Sequence, residues 1–178
     1  VAVNPSTNTI YVANFYGDSV SVIEGYRNTV TATVSVGYLP GSVAVNPTTN
    51  TIYVANYSGN SVSVINGYRN TVTSTVSVGP TPVSVAVNPS NNTVYVADAG
   101  GSQESVSVIN GSTITVTATI SVGTSPEGVA VNPSTNTVYV ANYGNDSVSV
   151  INGSTNTVTA TVSVGIHPIA VAVNPSTN

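Results

Sequence analysis

Apolar and polar residues alternate in short runs along the whole chain, and turn-forming residues break the runs every few positions. In the first stretch the runs are Val1–Val3, Ile10–Ala13, Val20–Ile23 and Thr29–Val36. Between them lie Pro5-Ser6-Thr7-Asn8, Tyr16-Gly17-Asp18 and Glu24-Gly25-Tyr26-Arg27-Asn28. A period of two, bounded by Gly, Pro, Asn and Asp, predicts strands. Links this short join antiparallel neighbours, because a parallel crossover needs a dozen or more residues. The four runs therefore predict a four-stranded antiparallel meander.

The meander is written four times. Val-Ala-Val-Asn-Pro begins at Val1, Val43, Val85, Val129 and Val171, at spacings of 42, 42, 44 and 42 residues. Tyr-Val-Ala-Asn follows at Tyr11–Asn14, Tyr53–Asn56 and Tyr139–Asn142, and as Tyr95–Asp98 with one exchange. Ser-Val-Ser-Val-Ile comes next in every unit, and the two extra residues of the longer unit fall between Asp98 and Ser105, which marks a loop. An all-strand period in the low forties predicts an all-β fold, a β-propeller. A lone meander buries too little to stand, whereas stacked blades cover both faces of the middle strands and account for their Val and Ile.

The predicted blades are residues 1–42, 43–84, 85–128 and 129–170, with 171–178 as the first strand of a further blade. Gly37–Pro40, Gly79–Pro82, Gly123–Pro126 and Gly165–Pro168 read as connectors from an outer strand to the next inner strand, outside the ladders because Pro cannot extend them. Val171–Asn178 repeats Val1–Asn8 without change, so a closed four-bladed ring would set two strands in one place. The expectation is a larger ring, completed by more chain or by other copies.

With Val43–Pro47, Tyr53–Asn56, Val62–Ile65 and Thr71–Gly79 in this order, the chain resembles the YVTN-type β-propeller repeats of microbial surface-layer and cell-surface proteins. The likeness runs through all four units; Ala replaces Thr in the signature tetrapeptide. It implies an extracellular propeller on an archaeal or bacterial envelope, with structural or adhesive roles.

Charge narrows the partners. Only 4% of residues are charged, Lys is absent and the net charge is −4. Arg27 and Arg69 make no basic patch, so nucleic acid and anionic membranes are excluded as expected partners. No run reaches the ~18 apolar residues of a spanning helix, so membrane insertion is not expected either. With no cysteine and His167 as the only histidine, neither a multi-ligand metal centre nor a nucleophile–base pair is in view. Gly100-Gly101 is followed by no helix that would cradle phosphate. The expectation is a chain that is not an enzyme and takes no cofactor.

The acids form a column. Asp18, Asn60, Glu104 and Asp146 each precede Ser-Val-Ser-Val-Ile, in turns on the same propeller face as the connectors, one of which holds Glu127. Asp98 ends a strand on that side, while Glu24, Arg27 and Arg69 lie in turns on the other. Turns favour Asp and Asn, which is the simplest reading. Asp18, Glu104 and Asp146 are also candidates for Ca²⁺, although blade separation argues against a shared ion. A third reading sets Arg27, Arg69, Tyr26 and Tyr68 against Asp18, Glu104, Glu127 and Asp146 of another copy, giving a head-to-tail filament.

Acceptor sequons for N-glycosylation stand at Asn56, Asn91, Asn110, Asn145 and Asn152. The expected function is a non-catalytic structural or adhesive module of a surface layer, sheath or filament that self-assembles through its faces. The alternative is a glycan- or peptide-binding module in which Tyr16, Tyr57 and Tyr143 stack on ligand. The partners in view are further copies of the chain, glycans and other envelope proteins.

Overall fold

A computed structural model describes residues 1–101 and 104–176. Ser102 and Gln103 of the lengthened loop, and Thr177 and Asn178 at the end of the expected fifth-blade strand, lie outside the described residues. Four four-stranded sheets make four blades, each with its strands in sequence order and antiparallel. Blade 1 is β1 (Ala2–Asn4), β2 (Thr9–Asn14), β3 (Ser19–Glu24) and β4 (Thr29–Ser35). Blade 2 is β5 (Pro40–Asn46), β6 (Thr51–Asn56), β7 (Ser61–Asn66) and β8 (Thr71–Ser77). Blade 3 is β9 (Pro82–Asn88), β10 (Thr93–Asp98), β11 (Ser105–Asn110) and β12 (Thr115–Ser121), and blade 4 is β13 (Pro126–Asn132), β14 (Thr137–Asn142), β15 (Ser147–Asn152) and β16 (Thr157–Ser163).

Two local features depart from simple alternation. Pro40, Pro82 and Pro126, expected outside the ladders, open β5, β9 and β13 opposite Asn56, Asp98 and Asn142. Proline is tolerated at the first residue of a strand, where no ladder amide is missed, and a register shift follows at once. Each outer strand also carries a bulge. In blade 1 Val30 faces Ile23 and Ala32 faces Val22, so Thr31 is the extra residue, and its hydroxyl donates to Val22 O at 3.3 Å. Thr73, Thr117 and Thr159 do the same to Val64, Val108 and Val150. A one-residue slip reverses the facing of what precedes it, which leaves Val30 exposed while Val34 is buried.

The core lies between blades. Tyr11, Val20, Val22 and Val34 pack on Val43, Val45, Ile52, Val54 and Ile65 of the next blade. The same positions join blade 2 to 3 and blade 3 to 4. Inner strands touch about the axis, where Val85 N donates to Ser42 Oγ and Val129 N to Ser84 Oγ. Among the described residues no such core joins blade 4 to blade 1, so the four blades form an open arc.

Residues 168–176 begin a fifth blade. They run beside β13, so closely that a Cβ on Gly128 would meet Ile169 O at 2.9 Å and Ala170 Cα at 3.0 Å. Ser176 N donates to Asn174 Oδ1 at 3.1 Å, repeating the turn in which Ser6 N donates to Asn4 Oδ1 at 3.0 Å. The segment thus takes a first strand's place and turn, with no ladder partner among the described residues.

Candidate functional site

The face carrying the connectors sets a left-handed residue in the connector of every blade, and an Asp or Asn in the same conformation in the preceding turn of blades 1, 2 and 4. Asp18, Asn60 and Asp146 sit at φ 46°, 45° and 53°, where Asp and Asn cost less than other non-glycine residues. In the connectors, Leu39, Thr81, Ser125 and His167 sit at φ 51°, 55°, 50° and 54°, where Leu, Thr and Ser gain no such relief. Each is held by the acid column. Leu39 N donates to Asp18 Oδ1 at 2.8 Å, Thr81 N to Asn60 Oδ1 at 3.0 Å, Ser125 N to Glu104 Oε2 at 2.6 Å and His167 N to Asp146 Oδ1 at 2.8 Å. The connector carbonyl then reaches forward: Leu39 O accepts from Tyr57 N, Thr81 O from Ala99 N and Ser125 O from Tyr143 N. In blades 1 to 3 one side-chain oxygen, of the Asp18 and Glu104 carboxylates and the Asn60 amide, therefore stitches its blade to the next.

The three Ca²⁺ candidates are engaged in this way, each in its own blade. Among the described residues no three of His, Cys, Asp and Glu lie together as a metal-holding group.

Asp98 ends β10 on the connector side, opposite Pro82, as the sequence placed it, but it is no part of the surface acid column. It is fully buried, in the place that Asn14, Asn56 and Asn142 hold in the other blades. Those amides donate to two serines, as Asn56 Nδ2 does to Ser61 Oγ at 3.1 Å and Ser63 Oγ at 3.0 Å. Asp98 has no N–H to give, so Ser107 turns its hydroxyl to donate to Oδ2 at 2.6 Å. Burial pushes its carboxyl up to about 6, and hydrogen bonds from Ser107 and Gly79 oppose the rise. Its Oδ1 is buried without a partner.

Aromatic rings collect on the same face. Tyr143 stacks on His167 with ring centroids 4.3 Å apart and planes 11° from parallel. Phe15 meets Tyr16 edge-on at 5.1 Å and reaches Tyr57 of the next blade at 6.0 Å. The structure does not place Tyr16, Tyr57 and Tyr143 as one platform: the first two belong to the Phe15 cluster and the third to the His167 pair. Glu127 is half-buried at the head of β13.

On the opposite face Tyr26 and Tyr68 are 84% and 74% exposed, beside exposed Arg27 and Arg69. Glu24 is spent on the amides of Tyr26 and Arg27. Of the sequons, Asn91, Asn110, Asn145 and Asn152 are exposed. Asn56 is a correction, because its amide is wholly buried against Ser61 and Ser63, where a glycan has no room.

The stitching and the Tyr143–His167 stack were missed from sequence. One signal was present: each acid-column residue stands 21 positions before the amide it holds.

Residues 66–168 match the family model described as Lactonase, 7-bladed beta-propeller. Among solved structures, hydrazine synthase of Kuenenia stuttgartiensis superposes with a TM-score of 0.85 at 26% identity, over 90% of this chain and 47% of that one. The chain thus spans about half the length of that structure. A comparison with curated proteins gives no match. Both similarities bear out a propeller family, but the matched family is not the surface-layer one. Both point to enzyme-like propellers and overturn the expectation of a chain without catalytic role. That expectation came from counting His and Cys, which tests for metal centres and nucleophile–base pairs; water activated by one carboxylate or imidazole needs neither.

Proposed function

Because the chain belongs to the family of seven-bladed lactonase β-propellers, we propose that it is the propeller body of a hydrolase that opens a cyclic ester at the connector face. The observation that carries this reading is the His167 imidazole, stacked on Tyr143 while its own backbone amide is held by Asp146. A ring fixed in this way at an exposed rim is an oriented proton acceptor. His167 takes a proton from water, the water oxygen adds to the ester carbonyl carbon, the ring C–O bond breaks, and the proton passes to the departing alkoxide. The product is the open hydroxy acid, and no oxidant or metal is required for the balance.

The low charge and the resemblance to surface-layer repeats support an exported, extracellular setting for such an enzyme. The exposed Tyr26, Arg27, Tyr68 and Arg69 favour a second role for the opposite face, as contact with a glycan, an envelope protein or the acid-bearing face of another copy.

A pH-stat assay of the chain on simple aliphatic and sugar lactones tests the hydrolase reading. The expected result is hydrolysis above the buffer rate, reduced roughly 10²-fold or more by His167→Ala, with Tyr143→Ala acting mainly on KM. No lactone opened above background, or a rate unchanged in His167→Ala, overturns it.

A further inference from the structure

The two faces of the propeller differ in charge. Asp18, Glu104, Glu127 and Asp146 are half-buried on the connector side, whereas Arg27 and Arg69, the two basic side chains of the sequence, are exposed in turns of the opposite face. No arginine therefore stands beside the connector acids to neutralise them.

The stitching does not require those charges. Each turn residue accepts the amide of a connector residue 21 positions on, and Asn60 does this at 3.0 Å with a neutral amide oxygen, where Asp18 and Asp146 do it at 2.8 Å with a carboxylate. In blade 4 the amide so held is that of His167, whose ring stacks on Tyr143. Asp146 makes this bond through Oδ1 alone, so a full negative charge is fixed beside the residue whose imidazole the proposed reaction uses. An amide would have held the connector as well; the charge is left over for another purpose.

We infer that Asp146 is a specificity-determining residue of this site, which takes lactones that are uncharged or cationic and turns away those carrying a carboxylate or a phosphate. The inference rests on the hydrolase reading of the connector face and names the class of lactone that reading leaves open. An anion that approaches the His167 ring also approaches Asp146, and like charges at a protein surface repel strongly enough to alter an affinity severalfold. Steering acts the same way: with a net charge of −4 and both arginines on the far face, the connector face repels anions before contact. A hydroxyl or an ammonium group meets the opposite condition, because a carboxylate only accepts hydrogen bonds and accepts them best from such donors. The same charge favours the imidazolium that forms when His167 takes its proton. The open hydroxy acid is itself an anion, so the repulsion that excludes anionic lactones hastens departure of the product.

The test compares three γ-butyrolactones that differ in one ring substituent, hydroxymethyl, trimethylammoniomethyl or carboxylate, each rate divided by the buffer rate of the same lactone. At neutral pH and low ionic strength the carboxylate lactone is expected to show a kcat/KM about fivefold or more below that of the hydroxymethyl lactone, with the cation no slower than the neutral one. Asp146→Asn keeps an acceptor for His167 N, as Asn60 does for Thr81 N, and is expected to raise the anion-to-neutral ratio about threefold or more. Added salt moves the ratio of the unaltered chain in the same direction. A role confined to holding the connector would leave the ratio where it was. The three matching lactams, which are not opened, are titrated into the nitrogen-labelled chain in parallel and read at the amides of Tyr143 and His167. If no lactone is opened but the lactams bind in the expected order, the hydrolase reading fails and the charge selection stands. Should Asp146→Asn not fold, the order in the unaltered chain and its salt dependence decide alone. An anion opened or bound as well as its neutral analogue, a ratio unmoved by a folded Asp146→Asn, or no lactam bound overturns the inference.

Discussion

At the scale of the residue, Asp98 shows how one atom changes an otherwise repeated solution. Asn56 and Asn142 satisfy two serines each through an amide that Asp98 lacks. Its carboxyl is lifted from 3.8 to about 6, chiefly by burial. Below the unfolded value both states hold the proton and no charge is buried. As pH rises through about 6 the folded carboxylate ionises in its buried site, and that stability is lost. Urea unfolding at pH 4 and pH 7 is expected to find the chain less stable at the higher pH, by at most about 3 kcal/mol. Asp98→Asn should remove most of that difference and be the more stable form at neutral pH. Gly79→Ala belongs to the same site: its Cβ would stand 2.6 Å from Asp98 Oδ2, and with backbone and β-sheet around it little can yield. A loss of about 1–3 kcal/mol is expected, against a near-neutral Gly165→Ala, where the space is open.

At the scale of the element, the strands were legible because each one is short, alternates, and ends in Gly, Pro, Asn or Asp. All four predicted runs of blade 1 fall on β1 to β4 within a residue or two at each end. What was not legible depended on partners distant in sequence. The acid column was visible as a pattern, but its purpose lay in a connector amide of a residue in left-handed conformation, which no local rule announces for Leu39 or Thr81. The bulge at Thr31 likewise depends on how β4 pairs with β3 rather than on composition. The burial of Asp98 was hidden because its counterparts are asparagines whose burial is itself a product of the preceding blade's connector packing over them. The stitching makes its own prediction. Asp18→Ala leaves Leu39 N without its acceptor and is expected to cost about 1–2 kcal/mol, read as a Tm several degrees lower, while Asp18→Asn, which supplies the same acceptor as Asn60, should cost little.

At the scale of the whole molecule, repeated blades stacked through Tyr, Val and Ile make the propeller, and the connector face gathers every acid but Glu24, the aromatic clusters and the one histidine. The opposite face carries the two arginines beside the exposed Tyr26 and Tyr68. No helix among the described residues is long and apolar enough to cross a membrane. The architecture was readable from the period of the repeat; the enzymatic kinship was not, since one imidazole in a connector gives no motif and its stacking on Tyr143 depends on a residue 24 positions earlier in sequence. The claim that the connector face is a substrate face is tested most directly by mapping amide shifts of the nitrogen-labelled chain as a lactone is titrated in. Perturbation is expected at Tyr143, Asp146 and His167, and to be lost in Tyr143→Ala. Shifts confined to the turns holding Tyr26, Arg27, Tyr68 and Arg69, or none at saturating lactone, would contradict it.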